Sequence, residues 1–301
     1  MRIGIMSSTD GAGALTRLVE QAQEVHDAGF ATLWTSQIFG YDALTALAVV
    51  GREVPGIELG TAVVPTYPRH PMMLAQQALT VQALIGNRLC LGIGLSHQIV
   101  VEAMWGLSYA KPVRHMREYL SALMPLLSGQ PVRFEGEEFT VRGAIQCPGG
   151  DRPSVVIAAL GEQMLRVAGT LADGTSTWCT GPATLRDHIV PTINQAAADA
   201  GRPAPRVIAA LPVNVTTDVD GTKQRTAEQL VVYNTLPSYR TMMDKEGVEG
   251  PADLTIAGSE AEVRDRLLEL KALGVTDFNA VMVAGNPEEK AQTLSVLRSV
   301  G

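Results

Sequence analysis

The sequence predicts an α/β protein, a (β/α)8 barrel with insertions at its C-terminal rim, formed by one domain over residues 1–301. Three observations carry that expectation. Short apolar runs alternate with stretches of helical periodicity along the chain, and eight such pairs can be read. The runs look buried on both faces, as Leu89, Leu91 and Ile93 do in RLCLGIGLSH, which is the habit of parallel sheets. An open doubly wound sheet would want a glycine fingerprint in the first strand–helix turn, and SSTDGAG does not supply one.

Each element follows from local chemistry. Arg2–Ser7 is the first strand, and Ser8–Gly13 a polar, glycine-bearing loop. Leu15, Leu18, Val19, Ala22, Val25 and His26 recur at helical spacing, and Gly29 closes that helix. Ala31–Ser36 is the second strand, and Asp42 caps a helix running to Val54. Ile57–Pro65 is the third strand. The turn Arg69-His70-Pro71 starts the next helix, which Gly86-Asn87 breaks. The fourth strand is RLCLGIG. Residues 98–153 then interrupt the alternation with a helix over Tyr109–Leu127 and a hairpin, Val132–Phe134 and Glu138–Val141. Excursions of that length on a barrel cover or shape the active site. Strands Ser154–Leu160, Gly174–Cys179 and Val207–Thr216 resume the pattern, with helices over Gly161–Ala172 and Ala183–Ala200. A looser excursion, 220–254, is expected to form helices and a lid. Ser259-Glu260-Ala261-Glu262 is a capping box, Asp277–Ala284 the eighth strand, and Asn286 the cap of the final helix.

Composition narrows the function. Hydrophobic residues make up 46% and charged residues 18%, and the net charge of −7 argues against a nucleic-acid partner. The three cysteines, Cys90, Cys147 and Cys179, are scattered, which argues against a disulfide framework and a cysteine zinc site. No leader pattern opens the chain and no apolar run approaches the ~18 residues of a membrane span, so a cytoplasmic protein is expected. G-x-S-x-G, H-E-x-x-H and G-K-[ST] motifs are absent, and few carboxylates fall at strand ends, so no metal site is expected.

In a parallel barrel the chemistry sits where strands end. That topology gathers Gln37, Val63, Ser96, His97, Gly161, Cys179, Thr180, Pro212 and Asn214 at one rim. His97 titrates near neutral pH and is the candidate acid–base group, with a helix-capping role as the alternative. His26, His115 and His188 lie in predicted helices, the last two as surface groups. Gly92-x-Gly94-x-x-His97 lacks the third glycine of a dinucleotide fingerprint. The turn Ala158-Ala159-Leu160-Gly161-Glu162-Gln163 leads into a helix whose free N–H groups suit an anion, a property every strand–helix turn of a barrel shares.

Five segments in this order, AQEVHDAGFATLWTSQ, LGTAVVPTYPRHP, RLCLGIGLSH, VVIAALGEQMLRVAGTLADG and the C-terminal capping box with ALGVTDF, resemble the bacterial luciferase-like superfamily over nearly the whole chain. Within it the chain is similar to the branch of oxidoreductases dependent on coenzyme F420, a deazaflavin. The resemblance implies a homodimer of barrels that binds reduced flavin or deazaflavin at the C-terminal rim. It implies a non-proline cis peptide at Ala62-Val63 behind the cofactor ring. Ser36 and Gln37 match ring contacts; Leu95, Ser96 and His97 match a loop with cofactor contacts and a proton-transfer residue. Ala159, Leu160, Gly161, Gln163 and Met164 match the phosphate-binding segment, and Cys179 and Thr180 a position facing substrate. The expected activity is hydride transfer between reduced F420 and an unsaturated small organic substrate. The alternatives are an FMN-dependent monooxygenase and a non-catalytic flavin-binding barrel. The chain departs from sugar-phosphate dehydrogenase relatives. Ser36-Gln37 stands where they carry Asp-His, and Gly181-Pro182-Ala183 supplies no base for a substrate phosphate. Lys111, Arg114 and Arg117 are candidates to face the acidic tail of the cofactor, with a solvated helix face as the alternative.

Overall fold

The apolar runs pair side by side and close on themselves. In the computed structural model, which describes residues 1–7 and 13–301, the strands are β1 (Arg2–Ser7), β2 (Thr32–Thr35), β3 (Glu58–Thr61), β4 (Val64–Pro65), β5 (Leu89–Gly94), β6 (Val132–Glu135), β7 (Thr140–Gly143), β8 (Ser154–Ile157), β9 (Gly174–Trp178), β10 (Arg206–Val215), β11 (Ile256–Gly258) and β12 (Asp277–Met282). The loop expected at Ser8–Gly13 lies, but for Gly13, outside the described residues. Parallel pairing runs β1–β2–β3–β5–β8–β9–β10–β12 and returns to β1, a closed eight-stranded barrel as the alternation predicts.

Two details differ from the sequence reading. The third strand is broken at residues 62 and 63, where Ala62-Val63 is cis, and its continuation β4 pairs only with β5. The short strand β11 ends the 220–254 excursion and pairs with the outer half of β10, Val213 to Ile256. Three residues, Ile-Ala-Gly, are too few to show a period.

The helices are α1 (Ala14–Asp27), α2 (Ala43–Glu53), α3 (Pro71–Ile85), α4 (Pro112–Leu127), α5 (Glu162–Leu171), α6 (Pro182–Thr184), α7 (Val190–Asp199), α8 (Val219–Gln229), α9 (Pro237–Glu246), α10 (Glu260–Ala272) and α11 (Pro287–Val300). A π-helical turn, Leu185–Ile189, joins α6 to α7. Asp42, Ser259 and Asn286 cap α2, α10 and α11 with their side chains, as their residue types foretell, and His70 caps α3 through its ring nitrogen. The hairpin β6–β7 packs beside α4 in the excursion between β5 and β8. No described helix is long and apolar enough to cross a membrane.

Strand alternation builds two cores. Odd positions such as Leu33, Leu59, Leu91 and Ile157 join the large cluster under the helices. Even positions fill the barrel, where Trp34, Cys90, Val156 and Ile208 meet Met6 and Ala62. Trp34 fits because Gly4 and Gly60 lie beside its indole, and a Cβ at either would collide with the ring.

The N-terminal mouth is closed by charge. Arg206 reaches Asp277 at 2.6 Å and Glu58 at 3.0 Å, while Arg2 reaches Glu58 at 2.9 Å. Burial alone would lower the Arg206 guanidinium, but Cys90, Asp277 and Glu58 hold it above its usual range. Burial pushes the Cys90 thiol up to about 12. This end is therefore a neutralised plug, and the C-terminal rim is left for chemistry.

Candidate active site at the C-terminal rim

The floor of the rim is the bulge after β3. Gly92 and Gly94 of β5 are glycines because of what lies against them. A Cβ on Gly92 would collide with the Thr61 carbonyl, and one on Gly94 with the Val63 side chain. The Thr61 hydroxyl donates to the Gly92 carbonyl at 2.7 Å and accepts from the Gly92 N–H at 2.8 Å. The Gly-x-Gly pattern thus seats the bulge rather than a phosphate. A second brace stands behind it. Thr66 donates to the Gly94 carbonyl at 3.2 Å and lies 3.0 Å from His115 Nε2. His115 is buried, stacked on Tyr67 at 3.9 Å, so the sequence reading that made it a surface group is corrected. Burial pushes its imidazole down to about 4, against the opposing pull of Glu138 and Glu118.

Past β5 the chain turns through Leu95, Ser96 and His97, all half-buried. Ser96 adopts φ 59°, a left-handed conformation uncommon outside glycine and concentrated at functional sites. The His97 carbonyl accepts from Val100 and Val101 and so starts the next helical segment. Its ring stands edge to face with Tyr239 at 5.9 Å. Burial lowers its basicity, with no charged neighbour contributing, so the imidazole is neutral at neutral pH.

The other predicted residues fall into three groups. Ser36 and Gln37 follow β2 at the rim, and the Gln37 side chain accepts from the Ala43 N–H at the start of α2. Ala159 is buried, and its carbonyl accepts from Thr175. Leu160 is half-buried; its carbonyl accepts from His188 at 2.8 Å, which ties the π-helical turn to this loop and corrects the surface reading of His188. Gly161 is the N-cap of α5, with no side-chain cap, and a Cβ added there would meet nothing within 4 Å. Gln163 is exposed and Met164 buried. Cys179, at φ 50°, and Thr180 are both buried, and Thr180 donates to the Trp178 carbonyl. Burial raises the Cys179 thiol, which removes it as a thiolate nucleophile.

Two features escaped the sequence. Glu246 of α9 accepts from the N–H groups of Ala183 and Thr184, at 3.0 and 2.7 Å, and from the Thr184 hydroxyl. The chain's own carboxylate therefore fills the helix start after β9. Trp178, Tyr233 and Tyr239 form an edge-to-face chain with centroids 5.9 and 5.0 Å apart, and His97 continues it. Trp178 was legible by strand parity, since it shares the inward face of β9 with Ser176; the tyrosines arrive from a distant excursion. Arg114, expected to face a cofactor tail, is instead paired with Glu137 and Glu138 of the hairpin. Among the described residues no group of His, Cys, Asp and Glu is arranged to hold a metal ion.

Comparison with known proteins identifies the family and agrees with the barrel fold. The profile of a family described as luciferase-like monooxygenase matches residues 1–298. A 5,10-methylenetetrahydromethanopterin reductase of Methanolobus tindarius is 27% identical over 290 residues, covering 95% of this chain and 87% of that protein. An F420-dependent secondary alcohol dehydrogenase in complex with an F420–acetone adduct superposes with a TM-score of 0.83 at 16% identity, covering 100% of this chain and 98% of that one. The oxygenating constituent of a 3,6-diketocamphane monooxygenase of Pseudomonas putida, in complex with FMN, superposes at 0.77 and 16% identity, covering 99% and 97%.

Proposed function

From the premise that the chain belongs to the luciferase-like monooxygenase family, we propose that it is an F420-dependent oxidoreductase acting on an unsaturated small organic substrate. The observation that carries the cofactor site is the start of α5. Side chains occupy the starts of α2, α3, α6, α8, α10 and α11; among the starts without a side-chain cap, that of α5 directly follows barrel strand β8, with Gly161 as its N-cap and open space beside it. The N–H groups around Gly161 and Gln163 would hold the cofactor's phosphate without a lysine, helped by the positive end of the helix. Ala62, Val63, Ser36, Gln37, Leu95 and Ser96 would border its ring, Ala159, Leu160 and Met164 would shape the phosphate loop, and Cys179 and Thr180 would back the substrate side.

When bound, the reduced deazaflavin supplies a hydride, and the protein's share is positioning and electrostatics. His97 is the proton group. In the reducing direction its protonated form gives a proton to the substrate atom that gains electron density; in the oxidising direction its neutral form takes one. The names of several relatives and neighbours favour F420, and the FMN-bound neighbour keeps FMN as the second reading. Fluorescence titration with each cofactor decides. Tight binding of F420 alone supports this proposal, FMN alone selects the monooxygenase, and neither leaves a non-catalytic barrel. We also infer a homodimer: Val49 and Met73 are about half exposed on the packed pair α2 and α3 and would be covered by a second copy. A monomeric mass in sedimentation would refute it.

A further inference from the structure

The substrate class is written in the walls of the rim. His97, Trp178, Tyr233 and Tyr239 come from the ends of two barrel strands and from the 220–254 excursion, and they form one continuous set of rings. None of the contacts is ionic. Burial first, then the negative charge that Tyr233, Cys179 and Tyr109 would carry on ionising, keep the Tyr239 phenol protonated. Ser96 and Cys179, the residues beside His97 and Trp178, both hold left-handed backbone, φ 59° and 50°. Such conformations are kept where surrounding structure requires them and cluster at ligand sites. The surroundings are apolar as well. Ile38 and Phe39 after β2, Ile99 and Met104 after β5, and Val231 after β10 are all more than half exposed. All five sit in segments that leave the C-terminal ends of strands. Exposed apolar groups on loops of one rim suit an apolar ligand.

We propose that this aromatic set is the substrate-recognition surface, and that it takes an uncharged, planar, conjugated carbonyl compound whose oxygen lies toward His97. The proposal rests on the reading of this rim as the reaction site. The physical case has three parts. Aromatic walls favour a flat π system in offset or edge-to-face contact. A charged substrate would lose hydration among these rings, which carry no permanent opposite charge to replace it. A cation would need ring faces turned together on one point, but these rings meet edge to face at 62°, 74° and 85°. Glu246 already takes up the backbone N–H groups of the helix start after β9.

Calorimetric titration of the 301-residue chain tests this with four probes of similar size. These are 4-phenylbut-3-en-2-one, the anion cinnamate, the cation cinnamyltrimethylammonium, and 4-cyclohexylbut-3-en-2-one, which lacks the flat ring. The neutral phenyl ketone should bind at least tenfold more tightly than the other three. Tyr239→Leu should remove that preference at an unchanged melting temperature, and Tyr233→Leu should do so if the first variant melts early. Equal or tighter binding of any other probe, no binding of the phenyl ketone, or full preference in both folded variants overturns the proposal. The cofactor reading fails separately. Phenyl-ketone preference without F420 binding would sink the cofactor and leave this surface; F420 binding without preference would do the reverse.

Discussion

His97 and Gly161 make opposite demands on the rim, and single substitutions separate them. His97 is half-buried with lowered basicity and a neutral neighbourhood, so His97→Ala should lower saturated turnover at least tenfold and leave F420 affinity nearly intact. The pH profile carries the sign. Protonated His97 accumulates only below its ordinary value near 6.5, so reduction by the wild type should speed up as pH falls through that region. The reverse oxidation should slow down over the same span, and both slopes should vanish in the variant. Full turnover at saturating cofactor would remove His97 from the mechanism. A helix-capping role would show instead as a lower melting temperature. Gly161 is tested by bulk. Because open space surrounds its Cα, Gly161→Val should fold as the wild type does, yet raise the F420 dissociation constant tenfold or more, about 1.4 kcal/mol. Unchanged affinity at an unchanged melting temperature would place the phosphate elsewhere.

At the scale of elements, α4 shows what a linear reading misses. Its apolar stripe was legible, and so were the caps of α2, α10 and α11, because period and cap chemistry are local. His115 was not, because its partners come from elsewhere: Thr66 and Tyr67 after β4, and Phe139 from the hairpin. The same holds at the site. Gly92 and Gly94 announced a close approach, but only the fold names Thr61 and Val63 as what approaches, and Glu246 reaches α6 across more than sixty residues. The buried imidazole has a measurable consequence. Its value falls from 6.5 unfolded to about 4 folded, so the folded state resists its protonation. The stability it contributes is complete above pH 6.5 and drains as pH falls toward 4, to a loss on the order of 3 kcal/mol. Urea unfolding across that range should show the decline, and His115→Phe should flatten it whatever its stability at neutral pH. An equal slope in the variant would assign the acid sensitivity to other groups.

Across the whole molecule, the two ends of the barrel divide stability from function. The rim is built from glycines, left-handed turns and an open helix start, features that cost stability. The opposite mouth joins β1, β3, β10 and β12 through Arg2, Glu58, Arg206 and Asp277, residues up to 275 positions apart, and makes no contact with the proposed cofactor residues. Buried ion pairs gain little over a well-packed apolar plug, but breaking one leaves a charge stranded. The Asp277 side chain is 3% exposed, and without Arg206 it keeps the Thr276 hydroxyl, which donates to it at 2.7 Å, and one cation, Arg2, at 3.7 Å. Arg206→Met should therefore destabilise the barrel by about 3–5 kcal/mol. Replacing Arg206, Glu58 and Asp277 together by apolar residues of similar volume should recover much of the loss. Neither change should move F420 affinity or the probe preference of the rim at a temperature where the protein is folded. Denaturant midpoints and cofactor titrations on the same preparations make the comparison. A single variant as stable as the wild type would show that the plug is not a coupled charge network, and a parallel loss of F420 affinity would show that the two ends are not independent.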